Sequence, residues 1–188
     1  MTFEVLFLHT NFPAQFKHHI DFHKSRNDRI TFLCLTTFGR SIPGVNTLKI
    51  KKQVPDTSEK NVLSEASKML STAESFYCAF KSLQESGYKP DLVIGHSGWG
   101  CGLKLRSVWP EVFFIAYHEW WFWDTDGIVP NNVLTKTDWM PASFSKQSGA
   151  LDRNSLMALE LSNSNSIVSP TSWQKSLLPI QFRQNCTT

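Results

Sequence analysis

Apolar residues along this chain fall into two kinds of run. Continuous runs lie at residues 3–9, at 29–36 (RITFLCLT), at 91–95 (DLVIG) and at 112–117 (VFFIAY). Their length and their lack of polar alternation predict strands covered on both faces. A weaker strand is expected at 47–50, reached through the turn at Pro43-Gly44, and a last short one at 166–168 before Pro170. The second kind of run repeats at three- and four-residue steps. Over 60–86, the residues Val62, Leu63, Ala66, Met69, Leu70, Ala73, Phe76, Tyr77, Phe80 and Leu83 share one helical face, and Gly87 is a natural stop. Further helices are expected at 14–24, with Pro13 in the first turn and Asn11 or Thr10 near the cap, at 103–108 and at 150–162. Residues 120–148, with Pro130, Asn131, Asn132 and Pro141, read as irregular. Continuously apolar strands alternating with helices predict a single α/β doubly wound domain with a mainly parallel sheet.

Composition narrows the function classes. With 188 residues, 41% hydrophobic and 19% charged, the chain suits one packed domain. A net charge of +3 is too weak to argue for nucleic acid. Two basic groups, Lys17 to Arg26 with its three histidines and Lys49, Lys51 and Lys52, read first as solvated faces and second as contacts for anionic lipid or polyanion. Cys34, Cys78, Cys101 and Cys186 are far apart and form no C-x-x-C pair, so neither a disulfide framework nor a zinc site is expected. Reduced thiols fit a cytoplasmic protein. No apolar run approaches the roughly 20 residues of a membrane span. The opening MTFEVLFLHTNF reads as a first strand and not as a signal peptide.

The stretch VIGHSGWGCG, from Val93 to Gly102, resembles a hydrolase nucleophile elbow around Ser97. That elbow needs a small residue two positions after the serine, where this chain has Trp99. Ser97 is therefore read as a bystander, and the glycines as a turn that lets backbone approach a neighbour or a ligand. If the sheet is parallel, each strand delivers its following residues to one rim. Thr10, Asn11 and Phe12 follow the first strand, His96 to Trp99 the DLVIG strand, His118 to Trp121 the VFFIAY strand, and Ser169 to Thr171 the last. That rim is where doubly wound domains bind ligands. In HEWWFWD, His118 or Glu119 is a candidate base or hydrogen-bond acceptor, and aromatics such as Trp120 are candidates to stack on sugar rings, to pack on another domain or to seat at a membrane surface.

VLFLHTNFPAQF, PDLVIGHSGWGCGLKL, AYHEWWF and DRNSLMALELSNSNSIVSPTSWQKSLLP, in this order, resemble the N-terminal domain of family 4 glycosyltransferases of the GT-B fold. The resemblance runs from about Val5 to Arg183. It implies a Rossmann-like domain that forms one half of a two-domain enzyme. This half would hold the acceptor, and a second domain the nucleotide-sugar. A retaining transfer to an acceptor hydroxyl would need neither a metal ion nor a cofactor. Carried over, His96, Gly98 and Trp99 shape the cleft floor, and His118 and Glu119 face the acceptor or the transferred sugar. Asn11 and Phe12 lie in a loop near the donor, and Ser169, Thr171 and Trp173 near the domain junction. Ser97 and Cys101 depart from the family, which often has Pro and an acid there.

The chain stops at FRQNCTT, so residues 1–188 are expected to comprise the acceptor-side domain without its donor-binding partner, and to be inactive alone. The implied partners are an acceptor glycan, lipid or small molecule and the missing C-terminal domain. Two other readings stay open: a non-catalytic carbohydrate- or partner-binding module derived from such an enzyme, and peripheral contact with the inner membrane face.

Overall fold

The computed structural model describes residues 1–52, 62–118 and 150–168. Six strands form one sheet: β1 (Glu4–Leu8), β2 (Arg29–Cys34), β3 (Val45–Lys49), β4 (Leu92–His96), β5 (Phe113–Tyr117) and β6 (Ser166–Val168). The α-helices among the described residues are α1 (Lys17–Ser25), α2 (Val62–Glu85) and α3 (Ala150–Ser162). The strand order is β3-β2-β1-β4-β5-β6, and every pairing is parallel. The chain winds outward from β1 in one direction and from β4 in the other. The order therefore reverses between β1 and β4, where Val5 pairs with both Ile30 and Leu92. This is the expected α/β doubly wound domain.

Alternation along the central strands feeds two cores, as the two-residue period of a strand requires. Leu6, Leu8 and Val93 face one side and pack with Phe76 and Phe80 of α2. Val5, Phe7 and Ile94 face the other and pack with Phe16 and Ile20 from the α1 side. The edge strands are thinner covered: β6 leaves Ile167 49% exposed.

Several local expectations are corrected. Residues 14–24 split into one 3-10 turn (Ala14–Phe16) and α1, and neither Asn11 nor Thr10 caps them, because Pro13 holds the cap position without a side-chain hydrogen bond. The short helix expected at 103–108 is a single 3-10 turn, Leu105–Ser107. Leu70 lies off the packed face of α2 and is 48% exposed, whereas Met69, Ala73, Phe76 and Phe80 are buried. His23, grouped by sequence with a solvated basic face, is buried, and its Nδ1 lies 2.8 Å from the Asp28 carboxylate. The stretch 120–148 lies outside the described residues. Among the described residues, Cys34, Cys78 and Cys101 form no disulfide.

Candidate functional site

The crevice beyond β1 and β4 is the ligand position of a sheet with this strand order. Its first wall is the loop that leaves β1, which backbone bonds fasten to the exit of β2. The Thr10 carbonyl accepts the N–H groups of Leu35 (2.9 Å) and Thr36 (3.0 Å), and the Phe12 N–H donates to the Thr36 carbonyl (2.9 Å). The Phe12 side chain points into the core, fully buried, with its ring edge-on to Phe32 at 4.9 Å between centroids. It anchors the loop from below, while Asn11 is presented at the surface. Just before them, buried His9 accepts the Asn11 N–H at Nδ1 (2.8 Å). Burial, aided by neighbouring His96, pushes the His9 pKa down to about 3. The ring is neutral, and with Nδ1 used as acceptor its proton sits on Nε2.

The second wall is the glycine turn after β4. Gly98 and Gly100 have φ of 92° and 81°, in the left-handed region that side chains disfavour. A Cβ on Gly100 would lie 2.5 Å from the Met69 carbonyl oxygen, and one on Gly102 would lie 2.6 Å from the Phe114 ring. The glycines thus let the turn press against α2 and β5 at once. Beneath it sits a fully buried carboxylate, Glu160 of α3. Its two oxygens accept the N–H groups of Gly98 (3.0 Å) and Gly102 (2.6 Å). Burial raises the Glu160 pKa to about 7, and these backbone donors hold back a larger rise. Glu160 was missed in the sequence. Its signal was there: in MALELS, it shares one helical face with Met157 and Leu161, an acid where an apolar residue belongs.

Beside the turn, His96 and His118 end adjacent strands. His96 is buried, edge-on to His9 at 5.0 Å between ring centroids. His118 is fixed by its backbone N–H, which donates to the Val168 carbonyl (2.8 Å). Burial and the nearby His96 lower its pKa, so the ring is neutral near pH 7. The Ser97 hydroxyl donates to the Tyr117 carbonyl at 3.2 Å, and its oxygen lies 3.3 Å from His118 Nδ1. The neutral His118 ring carries one N–H and one lone pair, and its tautomer sets which of them faces Ser97. Such a ring can accept a proton or a hydrogen bond. Ser97 therefore has a partner in the site and is not idle.

Asn11, Gly98 and Trp99 come together in one cleft of about 540 Å³, with Thr10 and Thr36 beside them. His96 lies behind the turn, His118 lies one strand over, and Phe12 faces the core. Glu119, Trp120, Ser169 and Thr171 lie outside the described residues. Among the described residues, no group of three or more His, Cys, Asp or Glu is placed to hold a metal ion, and no helix is long and apolar enough to cross a membrane.

A sheet of this order, with a cleft at its reversal point and a glycine turn in the wall, defines a doubly wound α/β domain. A model of the glycosyl transferase family 4 group matches residues 26–188, and the chain belongs to that family. The match starts beyond β1, so the Asn11 loop lies outside it. No curated protein matches the chain. Among solved structures, Os79 from O. sativa in complex with UDP and deoxynivalenol-3-glucoside aligns with a TM-score of 0.42 and 17% identity, over 62% of this chain and 29% of that one. Os79 in complex with UDP gives 0.40 and 17%, over 62% and 28%. The chain spans less than a third of the length of those structures.

Proposed function

We propose that these residues form the acceptor-side domain of a retaining glycosyltransferase. The reaction moves a sugar from a nucleotide-sugar to an acceptor hydroxyl. The bond from the anomeric carbon to the diphosphate breaks, a bond to the acceptor oxygen forms on the same face, and the hydroxyl proton passes to the departing diphosphate. Asn11, Gly98 and Trp99 line the acceptor cleft, His96 supports its floor, and Phe12 anchors the loop that carries Asn11. His118, a neutral imidazole, takes the hydrogen bond of the acceptor hydroxyl or of the transferred sugar, with Glu119 as the second candidate for that role. Trp120, Ser169 and Thr171 complete the substrate contacts. The diphosphate is held mainly by a second domain, so residues 1–188 alone turn over no sugar. The reading places the protein in the cytoplasm, and at the inner membrane face if the acceptor is a lipid.

The observation that carries this reading is family membership over 26–188, coupled to a cleft at the β1/β4 reversal walled by the glycine turn. The test is a transfer assay on the protein as its native source makes it, with a panel of nucleotide-sugars and the product anomer read by NMR. Retention is expected, and His118→Ala should lower turnover roughly 100-fold while leaving the fold intact. An inverted product overturns the retaining assignment. Sugar binding with no transfer for any donor makes the domain a binding module.

A further inference from the structure

We propose that Glu160 is a positioning residue for the cleft: its carboxylate fills the ring of backbone N–H groups in the glycine turn as an internal anion, sets Gly98 and Trp99 in the wall, and closes that ring to the phosphates of a substrate. The proposal rests on the glycosyltransferase reading for what the cleft holds; the grip of the carboxylate on the turn stands without it.

A glycine turn at the end of a parallel strand can aim its backbone donors at a ligand or at the protein itself. Positive φ at Gly98 and Gly100 is the backbone state in which neighbouring N–H groups converge on an anion. That anion is already built into the chain. Glu160 Oε2 accepts the Gly98 N–H at 3.0 Å, Oε1 accepts the Gly102 N–H at 2.6 Å, and the Gly100 N–H is a third donor. The flanking donors are engaged too: the Ser97 N–H with the Tyr117 carbonyl (2.9 Å), and the Leu103 N–H with the Gly100 carbonyl (3.3 Å). Gly98 thus lines the cleft, but its N–H is directed away from it.

The residue type is informative. Fully buried Met157 lies one turn back on α3, so this helix face is an apolar one. An apolar side chain at 160 would avoid the cost of burying an acid, but it would leave the turn's N–H groups unpaired. Those groups would then find their partners in the cleft. Glu160 prevents this from 62 and 58 residues away in sequence, and so ties α3 to the wall. The strand that follows α3 fixes His118, through the Val168 carbonyl and the His118 N–H (2.8 Å). One segment therefore sets both the turn and the histidine beside it.

The test is NMR of the nitrogen-labelled 188-residue chain at pH 7, as parent, Glu160→Ala and Glu160→Gln. Acetate is the probe, because Glu160→Ala removes a methylene and a carboxylate, which is the bulk of an acetate ion. In the parent, inorganic phosphate should move neither the Gly98 nor the Gly102 amide signal. In Glu160→Ala both amides should exchange roughly 100-fold faster, and acetate should restore their protection where acetamide does not. Glu160→Gln keeps the volume and one acceptor, so one of the two amides should lose protection and the Trp99 indole signal should move; this variant decides the matter if Glu160→Ala does not fold. In transfer assays on the native protein with p-nitrophenyl glucoside as acceptor, Glu160→Gln should raise the acceptor KM roughly 10-fold with kcat nearly unchanged. A loss of folded enzyme would lower kcat alone. The proposal falls if both variants keep the parent's exchange at Gly98 and Gly102, if acetamide restores as well as acetate, if phosphate moves the parent's two signals, or if KM is unchanged. The two readings fail separately. Acetate-dependent protection without transfer from any donor keeps the internal anion and removes the transferase. Transfer with an unchanged KM in Glu160→Gln does the reverse.

Discussion

Among the described residues, two buried carboxylates lie at different places around the sheet and are treated in opposite ways. Asp28 sits just before β2, at the amino edge. Its side chain is fully buried, and it is surrounded by donors: His23 Nδ1 at 2.8 Å, the Phe3 N–H at 3.0 Å and Arg26 Nε at 3.2 Å. Burial alone would raise its pKa, but the bonds from His23, Phe3 and Arg26 outweigh it, and the carboxyl is held below its ordinary range. Glu160, under the glycine turn, has backbone N–H groups for company and no cation among the described residues, and its pKa rises to about 7. The amino edge neutralises its buried charge and is built for stability. The turn that walls the cleft tolerates a buried acid that is costly to ionise, as sites often do.

The largest expected effect comes from the paired acid. Asp28→Ala leaves a buried histidine and the Phe3 N–H without their acceptor and should cost about 3–5 kcal/mol in urea unfolding at pH 7. A loss under about 1 kcal/mol would break the contrast, since it would make the donors around Asp28 ornamental.

Next comes Glu160→Ala, which strands two backbone N–H groups and opens a cavity. The expected loss is about 2–4 kcal/mol at pH 5 and clearly less at pH 8. The sign follows from linkage. The folded pKa, about 7, lies above the ordinary 4.5, so the folded state binds the extra proton between those values. Its stabilising contribution is complete below pH 4.5 and is lost as pH rises through 7. At about 1.4 kcal/mol per unit, that loss is roughly 3 kcal/mol. Asp28, with its lowered pKa, behaves oppositely and loses its contribution as pH falls through its folded pKa. His9 also works against Glu160: its pKa near 3 means that stability drains as pH falls below 6.5. The useful quantity is therefore the difference between parent and Glu160→Gln at each pH. That difference should vary between pH 4.5 and 7 with the sign above, and a flat line would remove the raised pKa.

The smallest effect sharpens the contrast at the site itself. Ser97→Ala should cost about 1 kcal/mol or less, because its hydroxyl bonds are long and partly replaceable. It should nevertheless change the His118 tautomer, visible in the nitrogen shifts of the ring by NMR. Unchanged shifts would return Ser97 to the status of a bystander.

Much of the fold was legible in the sequence. RITFLCLT and VFFIAY are strands as expected, the first buried on both faces and the second on one, with Phe113 49% exposed on the other, and the 150–162 and 166–168 spans match α3 and β6. The rim was legible too, because a parallel strand fixes which residues follow its carboxyl end. What failed were contacts made across the fold. Phe12 looked like a loop aromatic until Phe32 was placed under it. His23 looked like one cation among several until Asp28 came within 2.8 Å. Glu160 is separated from its partners Gly98 and Gly102 by 62 and 58 residues, and no local pattern joins them.

The sequence by itself determined the class: continuous apolar runs and period-3.6 hydrophobicity set which segments are strands and helices, and local burial needs set that pattern. The four ordered motifs determined the family resemblance for the same reason, since each is local. Only the tertiary structure decided that β1 lies between β2 and β4, because strand order depends on which faces pack together and not on any one strand. That choice puts Asn11 opposite Gly98 and slides a carboxylate beneath the glycine turn.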